Sequence, residues 1–368
     1  MARKAPSPDL DALKLSPEVA YYLKSRRIPF PTCPPAIKTP EPRLVPGARF
    51  DPARVDKFIR AMGQLRHTQG QWAGRPLKLD PWQVAYIIAP VFGWVRPLED
   101  GDEDEDGDGY VRIIRGAYVD VPRKNGKTTL ASGVGLYLTC ADGEPGAQVY
   151  AVAAGKDQAK FCFDPAKTLA SKSPALKPFT RPLAFKILHP GSGSYFAVVS
   201  KVADLMHGAN IHGAVVDELH VHKDPQLLET VESGTGSRRQ PLVLIITTAD
   251  DGKQGTIYAR RRRYIEQLAV GVISDPSTYG VVWAAGEADD PFAESTWRKA
   301  NPGYGISPTV ASMESAAAKA QQSPADLSSF LRLRLGRRTK QETKYLRLDA
   351  WDRNAGLVDE LALVGREC

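Results

Sequence analysis

Apolar residues along this chain of 368 residues fall into short runs bounded by turn residues, and these alternate with stretches of helical spacing. AYVDV (117–121), AQVYAVAA (147–154), HGAVVD (212–217) and PLVLIITT (241–248) are β-rich and too short for buried helices. Between them, TTLASGVGLYLTCA (128–141) and a stretch from about 156 to 171 predict helices. FKIL (185–188) and YFAVVS (195–200) predict a pair of short strands. Strands alternating with helices imply a mostly parallel sheet covered on both faces. Upstream, DPARVDKFIRAMGQL (51–65) has helical spacing and LDPWQVAYIIAPVFGW (79–94) the density of a buried helix. YVRIIRGAYVDV (110–121) has strand character. Beyond about 286 the pattern turns helical, with SMESAAAKAQQ (312–322) and SPADLSSFLRLRLGRR (323–338), where Ser323 is placed to cap. Residues 1–50, rich in Pro and charge, predict a largely extended arm.

Composition narrows the class. The balance of apolar and charged residues is ordinary for a soluble globular protein, and no apolar run approaches a membrane span. The N-terminus lacks the apolar core of a secretion signal. Cys33, Cys140, Cys162 and Cys368 are scattered without CxxC spacing, which suits a reducing cytoplasm. The formal charge of +7 understates how basic most of the chain is, because EDGDEDEDGD (99–108) concentrates eight acidic side chains in one run. A basic body of this size favours a polyanionic partner, nucleic acid above all. The acidic run reads as the solvated tip of a hairpin. Asp102, Asp104, Asp106 and Gly107 match the start of a calcium loop, but the twelfth position, which should be a bidentate Glu, is Ile113.

The chemistry gathers at strand ends. VPRKNGKTT (121–129) finishes like a phosphate-binding loop, yet the opening glycine of G-x-x-x-x-G-K-[ST] is replaced by Val121. Its setting is nevertheless strand–loop–helix, in which backbone N–H groups and the helix dipole favour phosphate. Lys127 is then placed to reach the β/γ-phosphates and Thr128 to ligate Mg²⁺. GAVVDELH (213–220) is an apolar strand ending in two carboxylates: Asp217 for Mg²⁺ through water, Glu218 to polarise the attacking water as general base. LIITTAD (244–250) ends in Thr247 and Thr248, suited to sensing the γ-phosphate and coupling hydrolysis to movement. Ligands of such sheets bind at the carboxyl ends of the strands, so the three motifs should converge on one crevice.

Over roughly residues 70–355 these motifs resemble the large terminase subunit of tailed bacteriophages, the ATPase that drives DNA into an empty capsid. In that family the loop commonly opens on an apolar residue, so Val121 fits the family's own variant. The resemblance implies an α/β fold of the P-loop NTPase, additional-strand, RecA-like kind. It implies ATP and Mg²⁺ as cofactors and a nucleotide site built from Gln83, Arg123, Lys124, Asn125, Gly126, Lys127, Thr128 and Thr129. Within it, PWQ (81–83) places Gln83 on adenine with Trp82 as packing, and Arg123 joins Glu218 at the γ-phosphate. Gln158 in GKDQAKF is structural or DNA-facing, and Arg238 or Arg239 is a candidate to reach a neighbouring subunit's nucleotide. Double-stranded DNA, the portal protein of the procapsid, a small terminase subunit and a homo-oligomeric ring of five are the partners implied, with no membrane. The location implied is the host cytoplasm and, transiently, the portal vertex.

The expected organisation is an arm (1–50), an ATPase domain (51–285) and a helical cap and connector (286–368). Large terminases continue into a nuclease domain, whereas this sequence ends at LVDELALVGREC, about where the first nuclease strand should begin. Asp349, Asp352, Asp359 and Glu360 lie upstream of that strand and are not assigned as metal ligands. The expectation is therefore ATP hydrolysis without DNA cleavage. Two alternatives stand beside this reading: a helicase-like DNA-dependent ATPase, and a non-catalytic DNA- or portal-docking module with a vestigial nucleotide site. His220 and His222 near Asp224 read as a polar loop, RRRR (260–263) as a largely solvated helix face, and LRLRLGRR (331–338) as the better DNA-backbone candidate.

Overall fold

The computed structural model describes residues 9–98, 108–153, 155–202, 209–222 and 225–339. The elements α1 (Pro17–Ser25), β1 (Ile37–Lys38), β2 (Arg49–Phe50) and α2 (Pro52–Gln64) come first. α3 (Pro81–Gln83) then runs through a π turn (Val84–Ile88) into α4 (Ala89–Gly93), followed by β3 (Trp94–Pro97) and β4 (Tyr110–Arg112). The alternating body comprises β5 (Gly116–Asp120), α5 (Lys127–Cys140), β6 (Gln148–Val152), α6 (Lys156–Lys172), β7 (Arg181–Pro182), β8 (Lys186–His189) and β9 (Ser194–Val199). It continues through β10 (Ile211–Asp217), α7 (Gln226–Ser233), β11 (Leu242–Thr247), α8 (Ile257–Ala269) and β12 (Thr278–Val282). Three helices, α9 (Glu294–Ala300), α10 (Val310–Ala320) and α11 (Pro324–Leu335), close the described chain.

The main sheet has the order β1-β12-β5-β11-β10-β6-β9-β8-β7. Strands β12 through β9 in that order run parallel, and β1, β8 and β7 add antiparallel edges. β11 lies between β5 and β10, which is the additional-strand arrangement expected. The two sides of the sheet follow the period of two along each strand. Ala117, Val119, Val215, Leu244 and Ile246 face a core shared with α2, α4, α5 and α6. Tyr118, Val216, Val243 and Ile245 face the opposite core, with α7 and α8. Burial on both faces explains why these strands read as unbroken apolar runs. Helix α5 is buried around most of its circumference and is packed closely: a Cβ at Gly135 would stand 2.6 Å from the Phe196 ring.

The arm expected over 1–50 is instead folded against the body wherever it is described. Ser16 caps α1, which buries Val19, Tyr22 and Leu23 at helical spacing, and β1 pairs with β12. YVRIIRGAYVDV divides between two sheets rather than forming one strand: β4 joins the small antiparallel sheet β2-β3-β4, and β5 joins the main one. The division falls at Arg112, whose buried guanidinium is bonded to Asp142 just beyond α5, so the chain is pinned there before it enters the main sheet. β3 and β4 pair from Pro97↔Tyr110, flanking the acidic run; Asp102, Asp104, Asp106 and Gly107 lie outside the described residues. Among the described residues no helix is long and apolar enough to cross a membrane.

Candidate active site

β5 delivers the chain to the loop at Val121, and the missing glycine has a structural explanation. Val121 is still in the ladder, its N–H donating to Thr247 O at 3.1 Å, so the position needs no left-handed backbone. The turn is made later, where Lys124 and Gly126 both have φ of 72°. Lys127 opens α5 with its amine folded inward: Nζ donates to Val121 O at 3.0 Å and to the Thr248 hydroxyl. Burial pushes the Lys127 amine down, against the pull of Glu218, Asp217 and Asp120. Thr128 and Thr129 follow, half-buried, in the first turn.

β10 ends in the carboxylate pair. Asp217 is buried, and its Oδ1 has no hydrogen-bond partner among the described residues. Burial, reinforced by the Glu218 charge, pushes its carboxyl up to about 6 despite Lys127. Glu218 has φ of 52°, an uncommon backbone for a non-glycine residue, while its N–H still donates to Ile246 O at 2.9 Å. The strand is thus held up to Glu218 and then turns sharply, leaving Glu218 Oε1 3.9 Å from Lys127 Nζ. β11 ends beside both motifs, with Asp217 opposite Ile246 and Thr247 opposite Asp120. Thr247 and Thr248 are fully buried. Lys127, Asp217, Glu218, Thr247 and Thr248 therefore meet at one edge of three adjacent strands.

The loop is held from outside by the helical segment behind the sheet. Asn125 Nδ2 donates to Asn301 Oδ1 at 2.9 Å and to Pro122 O, while Asn125 Oδ1 accepts from Gly303 N at 3.0 Å. Asn301 in turn donates to Arg334 O, Arg123 N donates to Leu333 O at 2.8 Å, and Ser307 donates to Lys124 O. The side chains of Arg123 and Lys124 are exposed. Arg334 has a buried, unpartnered Nη1, and burial together with the Arg123 charge pushes its guanidinium down. Gln83 reaches the loop from α3: its Oε1 accepts from Asp80 N at 2.9 Å, and its Nε2 lies 3.6 Å from where a Cβ on Gly126 would stand. Trp82 packs edge-on against Trp283.

Other expected residues lie elsewhere. Arg238 sits at the opposite edge of the sheet, tied to Glu144 Oε1 at 2.8 Å and to the carbonyls of Asn210, Pro145 and Gly146. Arg239, whose carbonyl accepts from Arg115, is at that edge too. Neither is at the nucleotide edge. The arginine run on α8 is solvated only in part: Arg260 and Arg263 are exposed, the latter donating to Gln254, whereas Arg262 is buried against Asp120 at 2.9 Å and Arg261 pairs with Glu232. In LRLRLGRR, Arg337 donates to Asp289 O and Arg338 to Asp250, so these two are engaged within the chain. The polar-loop reading of the histidines missed His220, whose Nδ1 is 3.1 Å from Glu218 Oε2 and 3.3 Å from Thr247 Oγ1. Two residues of separation from Glu218 was its only signal. His222 turns instead to the Asp217 carbonyl at 3.4 Å. Asp224 lies outside the described residues, as does the Gln158 side chain.

Known proteins resemble this chain in sequence and in fold. A family model described as "Terminase large subunit, ATPase domain" matches residues 81–267. A second, "Terminase large subunit, endonuclease domain", matches residues 272–368. The expectation that the nuclease half is absent is thereby overturned; the acidic residues Asp349, Asp352, Asp359 and Glu360 lie within that match and outside the described residues. Protein YmfN of Escherichia coli (strain K12) is 40% identical over 100 residues, 27% of this chain and 22% of YmfN. The large terminase subunit of Enterobacteria phage HK97 is 24% identical over 291 residues, 77% of this chain and 53% of that protein. The crystal structure of the HK97 large terminase superposes with a TM-score of 0.63 at 22% identity, covering 77% of this chain and 55% of that one, a likeness of fold. The chain thus spans about half the length of the HK97 subunit and less of YmfN. With its phosphate loop, carboxylate pair and threonine-ended strand meeting at one edge of the sheet, the chain belongs to the terminase large subunit ATPase domain family.

Proposed function

We propose that this chain is the ATP-hydrolysing motor subunit that translocates double-stranded DNA into a phage procapsid. The observation that carries the reading is the convergence of Lys127, Asp217 and Glu218 with Thr247 and Thr248 at the carboxyl ends of β5, β10 and β11. Lys127, released from Thr248, meets the β/γ-phosphates, and the loop from Arg123 to Thr129 surrounds them. Gln83, beside Gly126, is placed for the adenine. Glu218 accepts the proton of the attacking water, and Arg123 stabilises charge at the γ-phosphate.

Thr128 and Asp217 are the residues that would hold Mg²⁺. The buried Oδ1 of Asp217, unpartnered among the described residues and on a carboxyl that burial makes reluctant to ionise, fits a cation ligand. When bound there, Mg²⁺ would supply neutralisation of phosphate charge. The basic surplus of the chain suits the backbone of duplex DNA. A ring of five copies at the portal vertex, acting with the portal protein and a small terminase subunit in the host cytoplasm, completes the proposal.

Steady-state ATP hydrolysis with and without duplex DNA, for the wild type and Glu218→Gln, tests it. Loss of a general base typically costs about 10²–10⁴-fold in rate. Turnover equal in the two proteins would sink the assignment of Glu218. Strand displacement on a forked duplex, without motion along intact duplex, would replace the packaging motor by a helicase.

A further inference from the structure

We propose that His220 is a positioning residue for hydrolysis, its Nδ1 either holding the Glu218 carboxylate or accepting from the Thr247 hydroxyl. This rests on the reading of Glu218 as general base and extends it to a residue outside the nucleotide motifs. His220 sits on the short turn Leu219–Val221, directly after the left-handed Glu218, and its side chain is 8% exposed. Its Nδ1 stands 3.1 Å from Glu218 Oε2 and 3.3 Å from Thr247 Oγ1. Among the described residues Glu218 Oε2 is buried and makes no aligned hydrogen bond, although His220 Nδ1 stands within reach of it. The nitrogen therefore lies between the base and the coupling strand.

One ring nitrogen cannot serve both neighbours in the same way. In a neutral imidazole Nδ1 is either a donor or an acceptor. Burial disfavours the charged ring here, although the Glu218 charge favours it. With the proton on Nδ1, the ring donates to Glu218, and the Thr247 hydroxyl can donate to the Thr248 carbonyl, 3.3 Å away. With the proton on Nε2, Nδ1 accepts from Thr247 and no longer holds Glu218. The interchange moves one proton between ring nitrogens through solvent and leaves the net charge unchanged. A displacement of Thr247 thus selects whether the base is held or released, and Thr247 adjoins Thr248, which contacts Lys127.

The experiment measures kcat and KM for ATP in the wild type, Glu218→Gln, Thr247→Val and three variants at position 220, with unfolding midpoints for each. His220→Asn places an amide where Nδ1 was, and His220→Gln places it where Nε2 was. His220→Asn is expected to stay near the wild-type rate. His220→Gln and His220→Ala should lose about tenfold in kcat with KM little changed, a fraction of the about 10²–10⁴-fold cost of losing the base. Those losses should shrink when combined with Glu218→Gln or Thr247→Val, because the residues act as a unit. His220→Gln at the wild-type rate while Glu218→Gln is inactive would overturn the role of His220 alone. Losses that multiply in the double variants, or a raised KM at constant kcat, would overturn it as well. Equal turnover in wild type and Glu218→Gln would instead overturn the general-base reading beneath it.

Discussion

Asp250 accepts from Arg338 Nε at 2.7 Å and from Nη2 at 3.2 Å, which ties the end of β11 to the segment leaving α11. Asp250 is buried three residues beyond Thr247, and Arg338 lies over the Tyr258 ring. The residues just beyond β11 are thereby fixed to the segment that follows α11.

Removing one partner of this pair should cost more than removing both. Arg338→Ala leaves a buried carboxylate with, among the described residues, the Gly252 N–H and the more distant Thr256 hydroxyl as partners, and should destabilise the chain by about 1–3 kcal/mol. Adding Asp250→Asn to Arg338→Ala should recover part of that loss. Urea unfolding of the two variants decides it. A double variant less stable than Arg338→Ala would show that Asp250 is held by something other than Arg338.

How much of this was legible from sequence follows from how local each feature is. β5, β10 and β11 were readable because strands buried on both faces are continuous apolar runs, and the functional groups sit where those runs stop. β12 was not, since Gly280 interrupts its run to admit Ile265, which would stand 2.7 Å from a Cβ there. The Asn125–Asn301 pair joins residues 176 apart, and Arg262 meets Asp120 across 142. Pairings of that range leave no periodic trace. His220 was passed over for a related reason: as HVH it read as a polar loop, whereas its neighbours are Glu218 and Thr247 at the ends of two different strands.

The asparagine pair yields a prediction on nucleotide affinity. Asn301→Ala deprives Asn125 of one partner and frees the Arg334 carbonyl, loosening the outer wall of the phosphate loop. Leaving such groups unpaired costs about 1–3 kcal/mol. If half of that strain falls on the binding-competent loop, ATP should bind about two- to tenfold more weakly. Titration with a fluorescent ATP analogue measures this directly. Unchanged affinity in a folded Asn301→Ala protein would mean that the loop holds its shape without the helical segment.

The last prediction concerns the far edge of the sheet, where acid sensitivity should reside. Asp142 accepts from Arg112 through both carboxylate oxygens at 3.1 Å and lies 2.9 Å from His212 Nε2, all three being buried. Burial alone would raise the Asp142 carboxyl, but the Arg112 charge and the His212 hydrogen bond outweigh it and hold the group well below the usual carboxylate range. A depressed folded pKa contributes stability that is present above the unfolded value of about 3.9 and is lost as pH falls through the folded one. Asp142→Asn should therefore be less stable than wild type by about 3–5 kcal/mol at neutral pH, because it strands a buried arginine. The gap should narrow steadily below about pH 4, where the carboxyl of the unfolded wild type begins to take up a proton while that of the folded protein stays ionised. Denaturant midpoints of both proteins at several pH values test this. A gap of constant size down to strong acid would place the effect in packing rather than charge. Nucleotide binding should be unaffected at neutral pH, since this cluster lies at the edge of the sheet opposite Lys127.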